Sequence, residues 1–155
     1  MKVHDIMTER VKVAHPNESL QCAARAMRTI DAGALPVCDG ERLVGMLTDR
    51  DIAIRAVADG SDPTQAAVKD VMSPHIVYCF EDQDAHEAER IMQEHQIRRL
   101  PVLDRNKRLV GILSLGDLAT KTHELQEVGA TLERVSERQS PTVTDMASAY
   151  AQPVV

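Results

Sequence analysis

Leu43-Val44-Gly45-Met46-Leu47-Thr48-Asp49-Arg50-Asp51 returns as Leu109-Val110-Gly111-Ile112-Leu113-Ser114-Leu115-Gly116-Asp117, a displacement of 109 − 43 = 66 residues. Working outward, Leu35-Pro36-Val37 returns as Leu100-Pro101-Val102 and Met27 as Met92, now displaced by 100 − 35 = 65. The same 65 carries Val3-His4-Asp5-Ile6-Met7-Thr8 onto Val68-Lys69-Asp70-Val71-Met72-Ser73. The one-residue slip falls between Asp39-Gly40 and Asp104-Arg105-Asn106-Lys107, turn formers at a hairpin tip that tolerate an insertion. Matched blocks in one order define two tandem copies, at 1–58 and 66–123, joined by a linker at 59–65. A helical extension at 124–139 and a loose tail at 140–155 complete the expected organisation.

Each copy has the same layout. A short apolar strand opens it (Val11 to Ala14; Ile76 to Phe80), then a helix from Ser19 or Asp84. The Asp84/Glu87 spacing fits an N-terminal capping pair. Leu20, Ala23, Ala24, Met27 and Ile30 recur at helical spacing, as do Ala85, Ala88, Ile91 and Met92. Two strands joined by a polar turn follow, Leu35–Cys38 with Leu43–Leu47 and Leu100–Leu103 with Leu109–Leu113. A second helix begins at Asp51 and at Asp117. The fold class is therefore mixed α/β (α+β), β-α-β-β-α in each copy. One copy alone would bury only about 60% of its unfolded surface. Packing the copies against each other covers the remaining apolar faces and leaves a cleft near a pseudo-twofold axis, where small ligands bind. In the extension, Leu125, Val128, Leu132 and Val135 form a helical stripe expected to pack on its own domain or a second subunit.

The chain has 155 residues, a formal charge of −6, and Tyr78, Phe80 and Tyr150 as its aromatics. So few rings cannot build a stacking platform for bases, and an acidic balance without a basic block argues against nucleic acid. No apolar run is long enough to cross a membrane, and the opening residues lack a signal-peptide pattern. Cys22, Cys38 and Cys79 show no CxxC spacing and read as reduced, buried thiols of a cytoplasmic protein. The scattered histidines lack metal-site spacing, so no metal is expected. No nucleophile elbow or other catalytic constellation is present, and the chain is read as a non-enzyme.

The stretches Gly45–Asp51 and Gly111–Asp117 each place a hydroxyl three residues before an aspartate at a strand-to-helix junction. That is a helix-capping device. The same geometry suits a nucleotide: free N–H groups and a hydroxyl for phosphate, a carboxylate for paired ribose hydroxyls. Capping and binding are compatible.

Together the D-[IV]-M-[TS] opening, the L-P-V strand, the L-V-G-[MI]-L strand and the G-h-h-[ST]-x-x-D signature, each present twice, resemble a tandem pair of cystathionine-β-synthase (CBS) domains. The resemblance covers about residues 1–123. It implies two repeats packed into one pseudo-twofold module that forms a homodimer and binds an adenine nucleotide (AMP, ADP or ATP) or an S-adenosyl compound. Carried over by position, Asp51 and Asp117 would hold ribose, and Thr48 and Ser114 ribose or phosphate. Arg98 and Arg99 would meet phosphate in the Asp51 cleft, with Arg50 as a further candidate. Val11, Ile76, Leu35 and Leu100 would lie near adenine. Because Gly33 and Ala34 stand where copy two has its arginines, the Asp117 cleft is expected to be weaker, to suit a less charged ligand, or to stay empty. The implied function is regulatory sensing, acting in trans on an unknown partner protein. The alternative is a ligand-free interaction module whose T/S-x-x-D pairs only cap helices.

Overall fold

The computed structural model describes residues 1–121 and 125–137; the tail expected at 140–155 lies outside the described residues. Along the chain the elements are α1 (Val3–Ile6), β1 (Thr8–Glu9), α2 (Leu20–Ile30), β2 (Ala34–Asp39), β3 (Arg42–Thr48) and α3 (Asp49–Asp51), which runs into a π-helical segment, Ile52–Val57. The second copy supplies α4 (Val68–Val71), β4 (Cys79–Phe80), α5 (Ala85–His95), β5 (Arg99–Leu103), β6 (Leu109–Ser114) and α6 (Leu115–Lys121), and α7 (Leu125–Ser136) follows. The α2 helix starts where Ser19 accepts from the Cys22 N–H at 3.1 Å. It ends at Asp31 in the left-handed region, as α5 ends at Gln96. Each central hairpin, β2–β3 and β5–β6, is antiparallel, with a bulge after Val37 and after Val102.

The copies exchange their opening segments. Val3 and Ile6 of α1 are buried in the second repeat's core with Met92, Leu100 and Leu113. Reciprocally, Val68 and Val71 of α4 are buried in the first repeat's core with Leu20, Leu35 and Leu47. Each opening helix is capped by its own aspartate: Asp5 Oδ2 accepts from the Lys2 N–H and Asp70 Oδ2 from the Ala67 N–H, both at 3.0 Å. The residues after the helix then pair with the other repeat, β1 antiparallel to β6 and Ser73 to Met46. Further along they return to their own repeat, Ala14 beside Val37 and β4 beside β5, both parallel. The expected strand at Val11–Ala14 is thus a crossing segment between two sheets, with only Ala14 bridged. The strand expected at Ile76–Phe80 is confined to Cys79–Phe80. A third cluster, Cys38, Leu43 and Leu103 with Tyr78, Phe80 and Leu109, joins the repeats at the hairpin tips.

This crossing explains the repeated glycine. A Cβ on Gly111 would stand 2.9 Å from the Thr8 carbonyl oxygen and 2.7 Å from Met7 Sδ; on Gly45 it would meet Ser73 and Met72 at the same distances. The D-[IV]-M-[TS] block of one copy therefore lies on the L-V-G block of the other. Gly45→Ala and Gly111→Ala are each expected to lower stability by about 1–3 kcal/mol, since the obstacle is backbone and cannot rotate away. Urea denaturation of the two variants checks this.

Several packing expectations are corrected. On α2 the buried residues are Leu20, Ala23 and Met27, while Cys22, Ala24 and Ile30 are exposed. Glu87 does not close a capping box with Asp84: Asp84 accepts from the His86 N–H, and Glu87 accepts from Gln83 Nε2. On α7 Val135 packs into the second repeat's core as expected, Leu132 is half exposed, the side chains of Leu125 and Val128 lie outside the described residues, and the most buried described residue of the helix is Thr131. Its hydroxyl donates to Glu89 and accepts from Gln93 Nε2, so this helix is gripped by polar groups of α5. Burial pushes the Cys79 thiol up to about 12 and raises Cys38 as well. A thiol-reactive dye at pH 8 is expected to label Cys22 at once and leave Cys38 and Cys79 unlabelled until the chain is unfolded, because only thiolate reacts.

Candidate functional site

Each repeat's closing helix begins on a closed capping box. Thr48 Oγ1 accepts from the Asp51 N–H and Asp51 Oδ2 from the Thr48 N–H, both at 3.0 Å. Ser114 and Asp117 reproduce this at 3.1 and 2.9 Å, and the Ser114 hydroxyl also donates to Asp117 Oδ2 at 2.6 Å. The second carboxylate oxygen faces a cation one turn on. Asp51 Oδ1 is 3.7 Å from Arg55 Nη1, and Asp117 Oδ1 is 3.4 Å from Lys121 Nζ. Those same cations donate, at 2.8 Å, to the Val71 and Ile6 carbonyls of the exchanged opening helices. Sequence reading missed Arg55 and Lys121, although both stand four residues after the signature aspartate. They tie the cap of one repeat to the opening helix of the other.

Both boxes open onto cavities between the repeats. The first, about 330 Å³, is lined by Ala34, Met46, Thr48 and Asp51 from one side and by Ser73, His75, Val77, Ile97, Arg98, Arg99 and Pro101 from the other. The second, about 350 Å³, brings Arg99, Ile112, Ser114 and Asp117 against Thr8, Arg10, Val11, Lys12, Ile30, Ala32 and Ala34. The pairs Thr48/Asp51 and Ser114/Asp117, the arginines 98 and 99, and Val11 thus line the clefts. Arg98 Nη2 also donates to Ser136 Oγ of α7 at 3.0 Å, which links the first cleft to the C-terminal helix.

Other expected residues fall elsewhere. Leu35 and Leu100 are fully buried in the two helix-facing cores. Strand alternation explains this, because their neighbours Ala34 and Arg99 take the cleft face. Ile76 packs on the third cluster, and Val77 takes its place in the cleft. Arg50 is exposed and does not line the Asp51 cavity; its N–H donates to Asp49 Oδ1. The Asp117 cleft also proves richer in charge than expected, since Arg10, Lys12 and Arg99 line it. Arg10 and Lys12 sit on the crossing segment, with Arg10 in the left-handed region at φ 54°, a backbone state uncommon outside glycine. Tyr78 and Phe80 pack edge to face at the hairpin tip, beneath Arg105 and Lys107. The cleft walls are therefore aliphatic, as Met46, Val77 and Ile97 in one and Val11 and Ile112 in the other. Among the described residues no group of three His, Cys, Asp or Glu is placed to hold a metal, and no helix is long and apolar enough to cross a membrane.

Comparison with known proteins gives two matches to the CBS domain family model, at residues 3–57 and 68–124. Hypoxic response protein 1 of Mycobacterium tuberculosis is 44% identical over 116 residues, covering 74% of this chain and 80% of that protein. A crystal structure of Hypoxic Response Protein I, with two coordinated zinc ions, superposes with a TM-score of 0.70 over 77% of this chain and 97% of the other. The CBS domain pair of protein MJ0100, solved with 5′-methylthioadenosine and S-adenosyl-L-methionine, is 27% identical at a TM-score of 0.70 over 79% of this chain and 96% of that one. CBSX2, solved with AMP, is 27% identical at 0.68 over 81% and 98%.

Proposed function

The chain belongs to the CBS domain family, and on that premise we propose that it is a regulatory module sensing an adenine nucleotide or S-adenosyl compound. It acts by binding rather than by turnover, and passes its ligand state in trans to a partner protein in the cytoplasm. The observation that carries this reading is the convergence, in each inter-repeat cleft, of a hydroxyl–aspartate cap with arginines. In the Asp51 cleft the ribose hydroxyls donate to Asp51 Oδ1, displacing its contact with Arg55, and phosphate meets Thr48, Arg98 and Arg99. Guanidinium groups suit this task because their paired N–H groups match phosphate oxygens. Ser114, Asp117, Arg10, Lys12 and Arg99 play the same parts in the other cleft, with adenine against the aliphatic walls. AMP bound by CBSX2, and methylthioadenosine and S-adenosylmethionine bound by the MJ0100 pair, support the adenosyl class. A homodimer accords with Val57 and Ile54, 70% and 51% exposed on the first repeat's closing helix. Analytical ultracentrifugation reads that state.

Thermal denaturation across AMP, ADP, ATP, S-adenosylmethionine and adenosine tests the reading. A ligand at a hundred times its Kd stabilises the folded form by about 2.7 kcal/mol, a rise of about 5–10 °C for a domain of this size. Asp51→Asn keeps an oxygen for the cap but removes the carboxylate, so the unliganded protein should melt nearly unchanged while much of the rise is lost. A second reading, the ligand-free interaction module, draws on the closed caps and on carboxylates already facing Arg55 and Lys121. Absence of a shift with every compound would favour it.

A further inference from the structure

The two clefts share one guanidinium. Arg99, the first residue of β5, lines both cavities, whereas Arg98 lines the Asp51 cleft alone and Arg10 and Lys12 line the Asp117 cleft alone. Its counterpart in the first copy is Ala34 (99 − 34 = 65), which also lines both cavities and offers only a methyl group there. One pseudo-equivalent position thus carries a long cation and the other leaves it room. The Arg99 side chain is exposed and makes no hydrogen bond or ion pair to any described residue, so its charge is not already committed.

From this sharing we infer that the clefts are negatively coupled through Arg99: an anionic ligand in one weakens the binding of an anionic ligand in the other. The inference rests on the adenosyl-sensing reading and adds to it how the two sites regulate each other. The first phosphate to arrive neutralises Arg99 and leaves a negative charge beside the second cleft. The second phosphate then meets a cleft with one cation fewer and a like charge nearby. Because the effect is one of charge, a neutral nucleoside transmits none of it, and added salt shrinks it.

Calorimetric titration of the full chain with AMP, at low ionic strength, tests this. Asp51→Asn leaves only the Asp117 cleft to bind, and Asp117→Asn only the Asp51 cleft, giving the two isolated association constants. With independent clefts, their product equals the overall two-site constant of the wild type. The expected wild-type constant is smaller than that product by about tenfold or more, within the range usual for site coupling. The ratio returns to one for adenosine, and for AMP in Arg99→Leu. A single AMP per wild-type chain, with one AMP on each variant, is the same coupling at its limit. A wild-type ratio of one with both clefts filled overturns the coupling and leaves sensing intact. So does failure of either variant to bind, or a ratio that persists with adenosine or in Arg99→Leu. Absence of AMP binding in every form overturns the coupling, and the sensing reading falls with it only if ADP, ATP, S-adenosylmethionine and adenosine also fail to bind.

Discussion

Deleting residues 1–9 is expected to unfold the second repeat, although along the chain the other buried residues of its core begin only at Cys79. The deletion takes Val3 and Ile6, both essentially fully buried, out of the core that holds Met92, Leu100 and Leu113. Each such side chain is worth about 1.5–3 kcal/mol in burial alone, and the cavity left behind adds to the loss. The deletion also strips β1 from β6 and removes the Ile6 carbonyl that accepts from Lys121. Three backbone hydrogen bonds between the opening segment and residues 81–85 go as well: Val3 N–H to Gln83, His4 N–H to Glu81, and Ala85 N–H to Met1. At about 1 kcal/mol each these add roughly 3 kcal/mol. The total is comparable with the whole stability of a small domain, about 5–15 kcal/mol. Hydrogen exchange gives the decisive readout. Amides of β5 and β6 should lose most of their protection while those of β2 and β3, whose core is filled by Val68 and Val71, keep more of theirs. Protection lost chiefly in the first repeat would refute the exchange of opening helices.

That exchange marks the boundary of what the sequence could disclose. The duplication was legible because L-V-G, L-P-V and the opening block each occur twice in the same order, and the hairpins and closing helices follow from their turns and caps. The destination of the opening helices was not legible. Val3/Ile6 and Val68/Val71 are near-identical apolar pairs, and either fits either core by composition. The caps were read correctly as devices, but their cationic partners Arg55 and Lys121 gain meaning only once the opposite helix is in place. The charge of the Asp117 cleft was not legible because it does not come from Gly33 and Ala34, the positions aligned with Arg98 and Arg99. Arg10 and Lys12 reach it from a segment expected to be a strand and found to be a crossing. The inward turn of Leu35 and Leu100, by contrast, was available from period-two alternation, since Arg99 and Leu100 cannot both face one cleft.

The joint substitution of Arg98 and Arg99 by alanine is expected to cost AMP its affinity while leaving adenosine nearly untouched. Hydrogen bonds to charged groups contribute about 1.5–3 kcal/mol each. Loss of both guanidinium contacts therefore predicts a fall of roughly 10²–10⁴ in AMP affinity at the Asp51 cleft, every 1.4 kcal/mol being tenfold. The two arginines contribute unequally. Arg98 starts from a hydrogen bond to Ser136, so its gain on meeting phosphate is offset by the bond it gives up, whereas the Arg99 side chain has no such bond to give up among the described residues. Arg99→Ala alone should thus weaken AMP more than Arg98→Ala alone. Ser136→Ala, which frees Arg98 beforehand, should tighten AMP by a few-fold. The backbone around these residues is secured independently, since the Arg98 carbonyl accepts from the Leu115 N–H at 3.1 Å and Arg99 pairs with Ser114 in the ladder. The double variant should therefore fold and melt close to the wild type, apart from the lost tie to α7. Equal losses for AMP and adenosine would mean that the arginines shape the cleft without contacting phosphate. An undiminished AMP affinity would place the phosphate away from this wall altogether.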